Sequence, residues 1–306
     1  MMGKKIVVVG SSNTDMIIKV PHVPVPGETI IGGKFSIAAG GKGANQAVAA
    51  ARAGGDVTFI ARIGDDMFGQ QAKDGFVKDN INVDHVLSDK DAPSGVALIF
   101  VGEDGQNSIA VASGANANLS PSDVQAASDA ISTSDILIMQ LETPLETVQK
   151  AASIASDNGV KVILNPAPAR ELSDDILRNI SILTPNESEA ELLTGINVET
   201  EKDAAAVADA LMAKGIETVI ITMGPKGAFV ATADSKELVS GFSVKAVDAT
   251  AAGDVFNGTL AVAIAEGKPL KKAVSFANAA AALSVTKLGA QPSAPTREEI
   301  DKFLSG

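Results

Sequence analysis

Short runs of Val, Ile and Leu recur along this chain with longer helical patterns between them, and that alternation restricts the fold more than any other feature. The runs are Lys5–Gly10, Val57–Ile63, Ile136–Met139, Lys161–Leu164, Ile180–Thr184 and Thr218–Thr222. Short β-branched runs separated by helices read as parallel strands covered on both faces. The predicted helices are Lys42–Ala53, Phe68–Asn80, Pro144–Asn158, Glu187–Thr194 and Asp203–Lys214, with two Ala-rich helices, about Gly253–Glu266 and Pro269–Val285, near the end. The expected fold class is therefore α/β, with a mostly parallel central sheet and helices on both faces.

Two stretches break the alternation. Met16–Ile37 has no helical period and is interrupted by Pro and Gly, and Ser94–Val111 reads as a hairpin, Val96–Val101 and Ser108–Val111 about a Gly102–Gly105 turn. Together they predict a small antiparallel sheet, a lid inserted at about residues 14–38 and 93–111 of a single α/β domain spanning 1–306. Such a flap can cover a site that must exclude water; a plain β-extension or a dimer contact is the alternative. Apolar residues such as Ile30-Ile31 and Val96–Val101 sit on a flap too thin to bury both faces, which predicts a homodimer.

Composition narrows the chemistry. The net charge of -12 disfavours a nucleic-acid partner. With no Cys and only His22 and His85, thiolate sites are excluded and His-centred metal clusters or triads are thin. Phe is the only aromatic type, so stacking platforms do not dominate binding. The apolar run after Lys4-Lys5 is too short for a signal peptide, and no stretch reaches the roughly 18 apolar residues of a membrane span, so a cytoplasmic protein is expected.

Five segments can carry chemistry. Ser11-Ser12-Asn13-Thr14-Asp15 follows the first strand, where α/β sheets bind ligands and where Asn and Asp can grip hydroxyls; a polar turn is the alternative. Gly40-Gly41-Lys42-Gly43-Ala44-Asn45-Gln46 opens a helix; its glycines let backbone approach a ligand and Lys42 adds a charge, although a glycine turn reads as well and the Walker A spacing is absent. Asp248-Ala249-Thr250-Ala251-Ala252-Gly253-Asp254 leads into a helix whose free amides can hold a phosphoryl group, with Asp254 placed to take a hydroxyl proton. The alternative there is an N-terminal Asp stabilised by the helix dipole, which would make it a weaker base. Asn186-Glu187-Ser188-Glu189 can order Mg²⁺ and phosphate oxygens or simply form a capping box. Thr222-Met223-Gly224-Pro225-Lys226-Gly227 can line a nucleotide or make a hairpin turn.

The order of these segments resembles the ribokinase-like (PfkB) carbohydrate kinase family, whose two signatures are matched by the Gly-Gly-Lys-Gly-Ala-Asn-Gln and Ala-Gly-Asp segments. Asn165–Arg170, Thr184–Glu187 and Gly289–Ser293 extend the resemblance, which runs from the first strand to the last helix. It implies an ATP-dependent transfer to the 5-hydroxyl of a furanose sugar, ribose first, with fructose or a nucleoside as the alternative acceptors. It implies sugar contacts from Asn13, Asp15, Gly41, Lys42, Asn45 and Glu142, Asp254 as base, and an anion hole from the amides of Ala251, Ala252 and Gly253. It implies nucleotide contacts from Asn186, Thr222, Gly224, Gly227, Gly253 and Asn278, and Mg²⁺ ordered through Glu189. A K⁺ site is implied at Asp248, Thr250, Ser284, Lys287, Gly289 and Ser293, and a dimer through the lid. The chain departs from the family in carrying Ala249 and Ala251 where Thr and Gly are usual; backbone amides survive both changes. Other classes fit less well: a sugar receptor would need an export signal and leaves Asp254 unexplained, and no Gly-x-Gly-x-x-Gly follows the first strand.

Overall fold

The computed structural model describes residues 4–306. Its strands are β1 Lys5–Val9, β2 Asn13–Val20, β3 Lys34–Gly40, β4 Asp56–Gly64, β5 Asn82–Asp89, β6 Gly95–Gly102, β7 Asn107–Ala112, β8 Ile136–Met139, β9 Lys161–Leu164, β10 Ile182–Leu183, β11 Thr218–Thr222, β12 Gly227–Ala231 and β13 Lys236–Ser240. Its α-helices are α1 Lys42–Arg52, α2 Met67–Lys78, α3 Pro121–Ala126, α4 Ser128–Ser132, α5 Leu145–Asp157, α6 Asp174–Leu177, α7 Glu187–Thr194, α8 Glu201–Met212, α9 Ala252–Ala265, α10 Leu270–Ser284 and α11 Arg297–Ser305.

Nine strands form one sheet in the order β13-β12-β11-β10-β9-β8-β1-β4-β5, parallel except that β12 runs against both its neighbours. The period of two along each strand feeds two separate apolar layers. Ile6 and Val8 pack with α1, α9 and α10 on one face, while Val7 and Val9 pack with α5 and α8 on the other. Both faces are thus dry, which is why these strands read as continuous apolar runs.

A second sheet has the order β3-β2-β6-β7. It corresponds to the expected lid but is not antiparallel throughout: β2 and β6 run parallel, because a long connection through β3, α1, β4, α2 and β5 separates them. Ile30 and Ile31 lie in the β2–β3 connection rather than in a strand, and Ile31 is 95% exposed. The lid remains apolar on both sides, with Phe35, Ile37 and Leu98 exposed on one face and Ile109 and Val111 on the other.

Candidate active site

Strand β1 has β4 on one side and β8 on the other, so the chain leaves it in opposite directions and a crevice opens beyond its carboxyl end. Ser11–Asn13 leave β1 there and Glu142 leaves β8. The buried Ser11 hydroxyl donates to Glu142 Oε2, and the Lys42 amide donates to the same oxygen at 3.1 Å. Ser11 O accepts from Ala44 N–H at 2.8 Å, docking the start of α1 on the strand end. Two glycines permit this closeness. Gly41 caps α1 at φ 89°, and a Cβ on it would lie 2.6 Å from Asn13 N; a Cβ on Gly40 would lie 2.2 Å from Asp15 Oδ2.

Asn116, which the sequence did not single out, is buried behind Asn13. Its Oδ1 accepts from Ser12 N–H at 2.8 Å, and its Nδ2 donates to Asn13 Oδ1 at 2.8 Å. With that oxygen engaged, Asn13 offers its amide nitrogen to the crevice side of the network. Asn116 lies more than a hundred residues from Ser12 in the chain, so no local pattern could have marked it.

Asp254 is the third residue of α9 and 6% exposed. Its Oδ2 accepts from Asn45 Nδ2 and its Oδ1 from Gln46 Nε2, both at 2.9 Å. Burial pushes its pKa up, against the lowering pull of Lys42 and of the two amides. Burial thus outweighs the pull of Lys42 and the two amides, and the carboxylate of Asp254 holds a proton more tightly than an exposed one would. Asn45 Oδ1 is buried without a hydrogen-bond partner, an acceptor that water or a ligand hydroxyl must satisfy.

Four carboxylates surround Lys42. Burial works to lower its pKa, but Asp254, Glu142, Glu189 and Asp15 together raise it. Among the described residues Lys42 makes no direct ion pair, so its ammonium stays available within the cluster. Asp15 is pushed up to about 6, first by burial and then by Glu142 and Asp254.

Beside this cluster lies a cavity of about 430 Å³, within the range of small-ligand pockets. Asn186, Thr222, Gly224, Gly227, Gly253 and Asn278 all line it, as does Ala252. Its walls are apolar: Phe242, Val244, Phe256, Ala281 and Val285, none of which the sequence reading named, since they are ordinary core-type residues scattered over α9, α10 and a loop. The Thr222–Gly227 segment is both things expected of it, a lining loop and the turn of the β11–β12 hairpin. Asn278 Nδ2 donates to Val239 O at 3.0 Å and holds the end of β13 to α10.

Glu189 does not line the cavity. It forms a capping box with Asn186, its Oε2 accepting from Asn186 N–H at 2.9 Å while Asn186 Oδ1 accepts from Glu189 N–H at 2.8 Å. Its charge nevertheless reaches Lys42 and Asp254, and burial raises its own pKa. Ala251 takes φ 60°, the left-handed region that glycine favours, at the cap of α9. This is the position where the family usually has Gly. The first-turn amides of a helix lack intrahelical acceptors and so point outward; that of Ala252 makes one long turn bond, 3.3 Å, to Ala249 O.

Asp248 ties two segments together: Oδ1 accepts from Thr250 N–H at 2.9 Å and from the Thr250 hydroxyl, and Oδ2 accepts from Gly289 N–H at 2.9 Å. Ser284 and Ser293 turn their hydroxyls back to Ala281 O and Ala290 O, and the Lys287 ammonium pairs with Glu299 at 2.7 Å. Asp248, Thr250 and Gly289 are therefore in contact, whereas the side chains of Ser284, Lys287 and Ser293 are engaged elsewhere.

A buried carboxylate at a helix start, between a polar crevice and an apolar cavity of about 430 Å³, suits phosphoryl transfer to a small molecule. The family model described as pfkB family carbohydrate kinase matches residues 3–297. The chain is 50% identical to a ribokinase of Haemophilus influenzae over 99% of each protein, and 44% identical to one of Schizosaccharomyces pombe over 97% of this chain and 96% of that one. The structure of an Arabidopsis thaliana ribokinase complexed with ribose and ATP superposes with a TM-score of 0.92 at 32% identity, covering 100% of both chains. This chain belongs to the pfkB family of carbohydrate kinases, and it is a sugar kinase.

Proposed function

We propose that this sugar kinase uses Mg-ATP to phosphorylate D-ribose at the 5-hydroxyl, releasing ADP. The observation that carries the reading is the start of α9, where a buried carboxylate stands next to first-turn residues that open on an apolar cavity. The identity to two ribokinases and the likeness to one holding ribose and ATP support ribose as acceptor and ATP as donor. The described residues 4–306 act as one α/β unit under a β lid, and residues 1–3 of the expected 1–306 domain lie outside them.

In this reading the sugar lies among Asn13, Asp15, Gly41, Lys42, Asn45 and Glu142. The unpartnered Asn45 oxygen accepts from a sugar hydroxyl. So dense a polar set disfavours acceptors that lack hydroxyls, because buried partners would go unsatisfied. Asp254 takes the proton as the 5-oxygen attacks the γ-phosphorus; the loose transition state asks for positioning, which the Asn45 and Gln46 bonds supply. The amides of Ala251, Ala252 and Gly253 receive charge growing on the transferring group. Lys42 offsets the repulsion between the surrounding carboxylates and the phosphates.

Among the described residues no three carboxylate or imidazole side chains cluster as a metal cage. Mg²⁺ fits here as an ion carried mostly by phosphate oxygens and water, ordered through Glu189. When bound it would neutralise phosphate charge. Asp248, Thr250, the Ser284, Lys287 and Gly289 carbonyls and the Ser293 hydroxyl, once turned from Ala290 O, would hold K⁺ as a hard-oxygen donor set; the ion would stiffen the Asp248–Asp254 turn. The exposed apolar lid face at Phe35, Ile37 and Leu98 pairs with a second copy to make a homodimer.

The test is an ADP-release assay across ribose, 2-deoxyribose, fructose and adenosine, with Asp254→Asn alongside. Ribose should give the highest kcat/KM, and the variant should lose about 10²–10⁴-fold in kcat. A higher kcat/KM on a nucleoside, or near wild-type turnover by the variant, overturns the assignment.

A further inference from the structure

Gln46 is wholly buried on the side of α1 that meets α9, and its amide has three partners. Nε2 donates to Asp254 Oδ1 at 2.9 Å and to Asn165 Oδ1 at 3.2 Å; Oε1 accepts from Gln140 Nε2 at 2.7 Å. Gln140 is also fully buried, and its own Oε1 has no partner. The orientation of Gln46 is fixed by the Asp254 carboxylate and by Asn165, whose own Nδ2 donates to Thr184 O. Turned over, Gln46 would aim its carbonyl oxygen at the Asp254 carboxylate and its NH₂ at the NH₂ of Gln140, breaking every bond in the set. Burying two amides between apolar layers is costly, and an aliphatic side chain would fill the same space without that cost. Asn45, the neighbouring residue, makes a different bond, to Asp254 Oδ2, so the two amides grip separate oxygens.

We infer that Gln46, braced from behind by Gln140, is a positioning residue for phosphoryl transfer: it holds the Asp254 carboxylate in its reactive orientation and ionised, while touching neither sugar nor nucleotide. The inference rests on Asp254 being the base, as proposed above. Charged groups face Asp254 from four elements: Lys42 at the start of α1, Glu142 beyond β8, Asp15 on β2 and Glu189 on α7. Burial and the three carboxylates favour a protonated Asp254, and Lys42 with the two amides opposes them. Removing one amide donor therefore tips Asp254 toward protonation.

The test measures kcat, sugar KM and the pH profile of kcat/KM for wild type, Gln46→Met, Gln46→Glu, Gln140→Met and Asp254→Asn, with circular dichroism and melting curves to verify folding. Hydrogen bonds to charged groups are worth about ten- to hundredfold in an equilibrium. Gln46→Met should lose about that factor in kcat with sugar KM within about threefold, and the acid limb of its profile should move to higher pH. Gln46→Glu keeps the shape and the bond from Gln140, so it tests the donor if the Met variant fails to fold. It should lose more than Gln46→Met above neutrality and recover toward low pH, where the introduced carboxyl is protonated and can donate. Gln140→Met should lose only a few-fold, with the same direction of pH shift. A Gln46→Met or Gln46→Glu enzyme that keeps the wild-type kcat and acid limb, or whose loss lies in KM alone, overturns the inference. An inactive wild type overturns the assigned reaction, and an active Asp254→Asn overturns Asp254 as base, so both failures are separable from a failure of Gln46 alone.

Discussion

Gly258 lies one helical turn beyond Asp254, where α9 crosses α1. A Cβ built on it would stand 2.5 Å from Gln46 O and 2.9 Å from both Ala49 Cβ and Ala50 N. Ordinary contacts begin near 3.5 Å, so Gly258→Ala must part the two helices by about 0.5–1 Å. Alanine gains about 1 kcal/mol in helix propensity, and overpacking costs about 1–3 kcal/mol. The net loss is about 0–2 kcal/mol, a Tm decrease of no more than about 8 °C for a chain of this size. The chemical cost is larger, because the same displacement separates Asp254 from Asn45 and Gln46, which hold it from α1 at 2.9 Å each. Misplacing a reacting group by about 1 Å costs about 10²-fold. The expected result is a ten- to hundredfold drop in kcat at saturating ribose and ATP, with sugar KM nearly unchanged. ADP release gives the rates. Melting is best followed by calorimetry, since a chain without Trp or Tyr has little intrinsic fluorescence to report unfolding. A folded Gly258→Ala enzyme that keeps its kcat within twofold would refute the argument that α1–α9 spacing sets the base.

Other outcomes follow from the same site. Asp15 titrates at about 6, so if it grips the sugar ionised, ribose KM should rise as pH falls through about 6, and Asp15→Asn should flatten that dependence. Because its folded pKa is raised, ionised Asp15 subtracts from stability above about 6; Asp15→Asn should therefore melt higher than wild type at pH 8, with the gap closing toward pH 4. KCl added at constant ionic strength to an enzyme in a bulky organic-cation buffer should raise kcat or nucleotide affinity, and Asp248→Ala should not respond; equal rates with and without KCl would remove the cation site. Ala251→Gly relieves about 1–2 kcal/mol of left-handed strain but frees the unfolded chain by about 0.4–1 kcal/mol, so calorimetry should find a net gain of roughly 0–1.5 kcal/mol, and a lower Tm would contradict it. Light scattering should give a dimer at micromolar concentration, and Leu98→Lys on the exposed lid face should shift it to monomer; a monomeric wild type refutes the pairing.

The sheet interior was legible because its strands are apolar on both faces: Ile136–Met139, Lys161–Leu164 and Thr218–Thr222 were read at their observed bounds. Strand Ile180–Thr184 shortens to Ile182–Leu183: Ile180 N–H bonds back to Leu177 O in the turn after α6, and the Ser181 backbone reaches β9 and β11 through Val162 O and Thr218 N–H. Edge strand β5 went unread because it mixes polar with apolar residues and is largely uncovered on one side. Short α3, α4 and α6 carry too few turns for a period to emerge. Site residues on strand ends and helix starts were visible as motifs, whereas Glu142 was reached only through the family resemblance. Gln46 stood in a motif without a role of its own, and Asn116 was not singled out, for a different reason: sequence counts a polar residue as surface until the partners that bury it are known, and the long-range ones lie 94 to 208 and 103 to 104 residues away.

Strand β2 serves two masters. Its odd-numbered residues, Asn13 and Asp15, turn toward the crevice beyond β1, and its even-numbered ones, Met16 and Ile18, share the opposite face with Phe35, Ile37 and Leu98. A strand cannot shift one side alone. Any twist it adopts in closing on a sugar is imposed on the outer face one residue later, where a second copy would dock. If docking favours the closed twist, ligand and subunit share one coupling free energy: the factor by which ribose tightens association is the factor by which association tightens ribose. Dilution would then act as an inhibitor, weakening sugar binding without any molecule entering the site.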